Sequence, residues 1–120
     1  GRISRATIEV NNKWQWSPSG EANKADVQNI LTHEFGHWMR LLDIYSPSTC
    51  GEATMWGSAA YGETKKRTLE QADIDGFSAL YGGGSTTSRI ACPSVSPVAS
   101  AAFFWPAVTD WMPARMISVK

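Results

Sequence analysis

The stretch "THEFGHWMRLLDIY", residues 32–45, constrains this chain more than any other, because it fixes both a helix and a possible chemistry. Val27, Ile30, Leu31, Phe35 and Trp38 recur at helical spacing and predict a helix from about Lys24 to at least Trp38. Asn23 is the expected N-cap, with Asp26 in the favourable first turn. Residues four apart on a helix differ by about 40° in direction, so His33 and His37 project from one face and suit a single cation. Borderline-soft Zn²⁺ accepts two imidazoles readily. Glu34 lies beside that face, one residue off the ligand line, where it reaches a water without having to bind the metal. Gly36 costs roughly 1 kcal/mol relative to Ala in mid-helix, so close approach of another segment is expected there.

H-E-x-x-H also arises by chance in helices whose histidines only pack or face solvent. Here the motif sits on a strongly patterned, capped helix flanked by Phe35 and Trp38, which favours a built site. His33 and His37 are the only histidines in the chain, and two imidazoles fall short of the three protein ligands usual for catalytic zinc.

The rest of the chain provides the frame. Ala6, Ile8 and Val10 alternate in "ATIEV" and predict a strand ending at Asn11-Asn12. "KWQWSPSGEAN" reads as a loop or short extended piece leading to the helix, and Pro47 through "GEATMWGSAAYGETKKR" as irregular. A second helix follows, with Thr68 and Gln71 at capping-box spacing and Leu69, Phe77 and Leu80 expected to pack beneath the metal-bearing half, until Gly82-Gly83-Gly84 ends it. Residues 83–120 change to a Gly/Ser/Thr/Pro-rich linker and an aromatic tail, in which Phe103, Phe104, Trp105, Trp111 and Met112 either dock on the domain or stay exposed.

One small domain with one core is what 120 residues allow. Eleven basic residues balance eleven acidic ones, which argues against nucleic acid and anionic membranes as partners, and "KKR" at 65–67 reads as a solvated charge run. No apolar run approaches the roughly 20 residues of a spanning helix, so no membrane insertion is expected. The chain opens at Gly1 without a charged and apolar leader, so a signal peptide is expected to be absent or already removed. Cys50 and Cys92 leave a bridge, two thiols or an external pairing open.

"HEFGHWMRLLD" resembles the long zinc motif of the metzincin metallopeptidases, H-E-x-x-H-x-x-G-x-x-H, with Asp43 where the third histidine stands. "ATMWGSAAYGETKKRTLEQADIDGFSALYG" is similar to the Met-turn and C-terminal helix of the matrixin branch, particularly its bacterial members. The resemblance runs from about Ala6 to Gly82. It implies an α+β fold, a partial metzincin-like catalytic domain with a strand before the zinc helix, a Met-turn loop and a C-terminal helix. It further implies His33, His37 and Asp43 as zinc ligands, Glu34 as general base, and Met55 as the hydrophobic floor below the metal. Tyr61 is a possible substrate-side residue, off the usual spacing. Arg40 replaces the motif's glycine, Asp43 its third histidine, and Ala72 the first of two adjacent aspartates found in many matrixins. An aspartate in the third place is known among metzincin-like enzymes.

Geometry makes Asp43 demanding. On a continued helix it would lie about 240° round from His37, so a ligand role requires the helix to break between them, with Arg40, in the place of the motif's glycine, left-handed at roughly 1 to 2 kcal/mol; the alternative is a helix prolonged to about Asp43, which is then a solvated carboxylate. Residues 1–82 then read as the C-terminal part of a matrixin catalytic domain, without the edge strand on which a peptide substrate lies by strand addition. The function implied is a secreted zinc endopeptidase acting on protein or peptide substrates. The alternative is a non-catalytic zinc-binding remnant or an interaction module. Retention of Glu34 favours the enzyme, and the missing strands favour the remnant.

Overall fold

A computed structural model describes residues 5–82 and Cys92, and residues 114–119 by their backbone. The fold mixes helix and strand. Strand β1, Arg5–Val10, half-buries Ala6 and Ile8, as the alternation predicts, while Arg5, Thr7, Glu9 and Val10 face solvent. It pairs antiparallel with β4, Ala114–Val119, in a six-residue register from Arg5↔Val119 to Val10↔Ala114. The stretch read as linker and tail thus contributes a strand, which also runs close to the first helix. Whether the aromatics at 103–112 dock lies outside the described residues.

The short strands β2, Trp16–Ser17, and β3, Ala25–Asp26, pair in parallel across the turn that follows Pro18. This pairing corrects the expected helix start. Helix α1 spans Val27–Trp38, and its N-cap is Asp26, not Asn23. Residues 25 and 26 are held extended by the strand pairing, so the first free helical position is 27. The Asp26 carboxylate accepts from Asn29 N at 2.8 Å and from Arg67 Nε at 2.9 Å. The Arg67 guanidinium accordingly holds the Asp26 carboxyl below the usual carboxylate range.

The "KKR" run is also not the solvated patch expected. It forms a short 3₁₀ turn, Lys65–Arg67, in which Lys66 is only 1% exposed. The Lys66 ammonium donates to Trp56 O at 2.7 Å and to Ser58 O, and its backbone N–H donates to Asn29 Oδ1 at 2.7 Å. Glu63 lies 3.6 Å from the same ammonium. Buried charge survives only where hydrogen bonds and a counter-charge replace water, and these groups supply both.

The apolar core gathers between the two helices. Leu41, Ile44, Cys50, Ala53 and Met55 form it, with Trp56, Ala72 and Cys92 packed against it. Cys50, at the end of the 3₁₀ turn Ser48–Cys50, is disulfide-bonded to Cys92, which selects one of the three cysteine states left open. Closing a loop of 42 residues restricts the unfolded chain by about 4 kcal/mol.

Helix α2 spans Gln71–Tyr81 and turns a different side inward from the one expected. Its capping box uses Glu70 and Asp73, not Thr68 and Gln71. Leu69, Phe77 and Leu80 are 62%, 44% and 40% exposed, so they do not pack beneath the metal-bearing half. The inner side is Asp73 and Gly76, flanked by half-buried Ala72 and Ala79. Small residues allow the helix close to the loop at 53–55, and Asp73 uses that proximity: Oδ2 accepts from Thr54 N at 3.1 Å and Glu70 N at 2.8 Å, and Oδ1 from Met55 N at 3.2 Å.

Stability should follow these contacts and not hydrophobicity. Asp73→Ala leaves buried donors unsatisfied at about 1 to 3 kcal/mol each and should unfold the domain at much lower denaturant. Phe77→Ala should cost about 1 kcal/mol, well below the 3 to 5 typical of a buried aromatic. Urea midpoints of the two variants check this, and a larger loss for Phe77→Ala would refute the packing described.

Candidate metal centre

Three residues meet at the end of α1, and the chain reversal there explains how. The helix closes in a Schellman turn, in which Leu41 N donates to Gly36 O at 3.1 Å and Arg40 N to His37 O at 2.9 Å. Arg40 has φ of 65°, the left-handed value that such a turn requires and that glycine usually supplies. The reversal sends Leu41 into the core and brings Asp43 back to the histidine face. Leu41 O then lies 2.8 Å from His37 Nδ1.

His33 and His37 are both 7% exposed, their rings edge to face at 4.8 Å. Asp43 Oδ1 lies 3.1 Å from His33 Nε2 and 3.6 Å from His37 Nε2. One ligand atom from each of the three falls within 4.8 Å of the others. The protons decide what this arrangement suits. His33 Nδ1 donates to Thr54 O at 2.7 Å and His37 Nδ1 to Leu41 O, so in the neutral rings both Nε2 atoms carry lone pairs. Asp43 Oδ1 is buried and accepts no hydrogen bond. With both rings neutral, three acceptor atoms converge with no proton among them, and a cation at their meeting point satisfies all three.

Electrostatics agree. Burial, then the charge of His33, pushes His37 down towards the neutral, ligating form against the opposing pull of Asp43 and Leu41 O. Burial works against an ionised Asp43, yet the adjacent His33 and His37 rings outweigh it and hold the carboxyl low. A proton between His33 Nε2 and Asp43 Oδ1 and a metal ion are rivals for one position, and the donor set suits a divalent ion such as Zn²⁺.

Met55 is fully buried, and a Cβ on Gly36 would collide with its sulfur. This is the close approach that the mid-helix glycine requires. Glu34 is 4% exposed, one residue after His33. Tyr61 is not brought to the group by any described contact; its ring lies 5.1 Å from that of Trp14. Two residues were missed in the sequence. Asp73 holds the backbone of Thr54 and Met55, and nothing in the sequence pattern distinguishes it from other helix-capping aspartates. Tyr45 lies two residues after Asp43, and burial, then the Asp43 charge, holds its hydroxyl above the ordinary value.

The left-handed Arg40 can be isolated by comparing two variants that both remove its side chain. Arg40→Gly should be more stable than Arg40→Ala by about 1 to 2 kcal/mol, because only glycine relieves the backbone. Equal melting temperatures would show that residue 40 is not left-handed in solution.

The family model for matrixin peptidases matches residues 1–82. Human neutrophil collagenase is 32% identical over 80 residues, which is 67% of this chain and 16% of the collagenase. The chain thus spans a small part of that relative's length. No solved structure gives a significant match. With the family's model matched over more than half of its length, the chain belongs to the matrixins.

Proposed function

We propose that this matrixin chain carries the zinc-binding and proton-transferring part of an endopeptidase, with His33, His37 and Asp43 as ligands and Glu34 as general base. The observation that carries the reading is the convergence of three proton-free acceptors beside a buried glutamate. When bound, Zn²⁺ supplies a Lewis acid that polarises a peptide carbonyl and acidifies water. The protein's own groups do the rest. Thr54 O and Leu41 O fix the tautomers of His33 and His37, and Asp43 balances the cation's charge. Glu34 takes the proton from the attacking water and gives it to the leaving amine. Met55, fully buried against Gly36 between the two histidines in sequence, is the apolar floor of the site in this reading.

Family membership supports protein or peptide substrates, and the Cys50–Cys92 disulfide supports an oxidising, extracellular setting. Among the described residues no helix is long and apolar enough to cross a membrane.

Metal content and hydrolysis of a generic protein substrate, with and without chelator, test the reading. The wild type should hold one equivalent of zinc and lose activity when it is removed. Glu34→Gln should keep the zinc and lose turnover by several orders of magnitude; loss of the metal instead would make Glu34 a ligand. Asp43→Ala should weaken zinc binding severely, and Asp43→His should restore much of it. Zinc retained without hydrolysis in the wild type would assign the chain to the other reading, a zinc-binding interaction module, which the exposed Ile74, Phe77, Leu80 and Tyr81 of α2 favour.

A further inference from the structure

We infer that Lys66 is a positioning residue for the third metal ligand, its buried ammonium fixing the segment Trp56–Ser58 that holds the backbone beside Asp43; this rests on the zinc reading above. Both histidines ride on α1, whereas Asp43 lies beyond the turn at Arg40, so its place beside them is set by contacts outside the helix. Those contacts run through its neighbour. Ile44 N donates to Met55 O at 2.8 Å and Gly57 N donates to Ile44 O at 2.9 Å, in a parallel bridge with Trp56. Movement of residues 55–57 therefore carries Ile44 with it, and Asp43 is one residue away.

In such a bridge the residues that flank Trp56 turn their polar groups towards Ile44, while Trp56 and Ser58 turn their carbonyls to the opposite edge. On that edge the partner is an ammonium in place of a second strand. Lys66 Nζ donates to Trp56 O at 2.7 Å and to Ser58 O, with Glu63 Oε1 3.6 Å away. An ammonium has three donors and no acceptor, so it can serve two carbonyls and still face a carboxylate. Lys66 is in turn anchored to the histidine helix. Its backbone N–H donates to Asn29 Oδ1 at 2.7 Å, and Asn29 Nδ2 donates to Glu63 Oε1 at 3.3 Å. Asn29 stands four residues before His33 and shares its side of α1. The contacts close a ring that runs from His33 through Asn29, Lys66, Trp56, Ile44 and Asp43, whose Oδ1 lies 3.1 Å from His33 Nε2. Asp73 fixes the same loop at Thr54 and Met55, and Lys66 fixes it at Trp56 and Ser58.

The test uses the whole chain and compares wild type with Lys66→Met, which keeps an unbranched apolar stem and removes the donors. Zinc affinity of the folded protein, measured by competition with a chromophoric chelator, should fall about 10-fold, the lower end of what partners that orient ligands contribute. A lysine that only stabilised the loop would lower the melting temperature of the variant and leave that affinity unchanged, which overturns the inference. In the metal-free protein, hydrogen exchange at Ile44 N and Gly57 N should quicken in Lys66→Met, and unchanged exchange also overturns it. Wild type supplies a separate arm that holds even where the variant does not fold. Its metal-free Lys66 ammonium should show nitrogen-15 couplings across hydrogen bonds to the Trp56 and Ser58 carbonyl carbons; their absence overturns the inference. Because coupling between sites is reciprocal, zinc should slow hydrogen exchange at that ammonium, and an exchange rate indifferent to bound zinc overturns it as well. A wild type that takes up no zinc while these couplings are present retires the zinc reading and leaves the brace between Lys66 and the Trp56–Ser58 segment standing.

Discussion

The Asp73 carboxylate receives three backbone N–H groups, from Glu70, Thr54 and Met55, and through them it ties the second helix to the first. The Glu70 bond starts α2. The Thr54 and Met55 bonds fix the loop that passes under α1, and Thr54 O then accepts from His33 Nδ1. A single buried group thus sets the height of the loop, the tautomer of one histidine and the depth of the methionine below Gly36. Because the Thr54 and Met55 donors are buried, loss of the carboxylate is not compensated by water there.

A second constraint enters from the turn after α1. The left-handed Arg40 puts Leu41 into the core and its carbonyl against His37, while Ile44 bonds to the backbone on both sides of Trp56. The two histidines are therefore oriented by two different loops, both of which also supply core residues. Packing and site geometry are the same set of contacts here, so the apolar cluster serves mainly to hold carbonyls at fixed positions behind the imidazoles.

Local features of this arrangement were legible in the sequence, and long-range ones were not. The spacing of His33 and His37 and the need for an approach at Gly36 follow from helix geometry, the break at Arg40 from the resemblance to the metzincin motif, and the structure has each of them. The start of α1 was misplaced because Ala25–Asp26 is held by pairing with Trp16–Ser17, a contact that no helix signal reports. The inward side of α2 was misassigned for a similar reason. Hydrophobicity pointed to Leu69, Phe77 and Leu80, whereas close approach selected Ala72, Asp73, Gly76 and Ala79. Lys66 looked solvated because its partners, Trp56 O, Ser58 O and Glu63, are assembled only by the folded loop. Tyr61 lies off the usual spacing after Met55, and its described ring contact is with Trp14.

The Cys50–Cys92 bridge turns the intervening chain into a covalent ring that contains Met55, Lys66 and the whole of α2. One backbone scission anywhere inside this ring opens it without releasing a fragment. Asp73 then remains tethered to the polypeptide bearing the histidines, and the severed ends stay at high local concentration. A protease would need to make two cuts within the ring to detach the helix on which the histidine geometry depends.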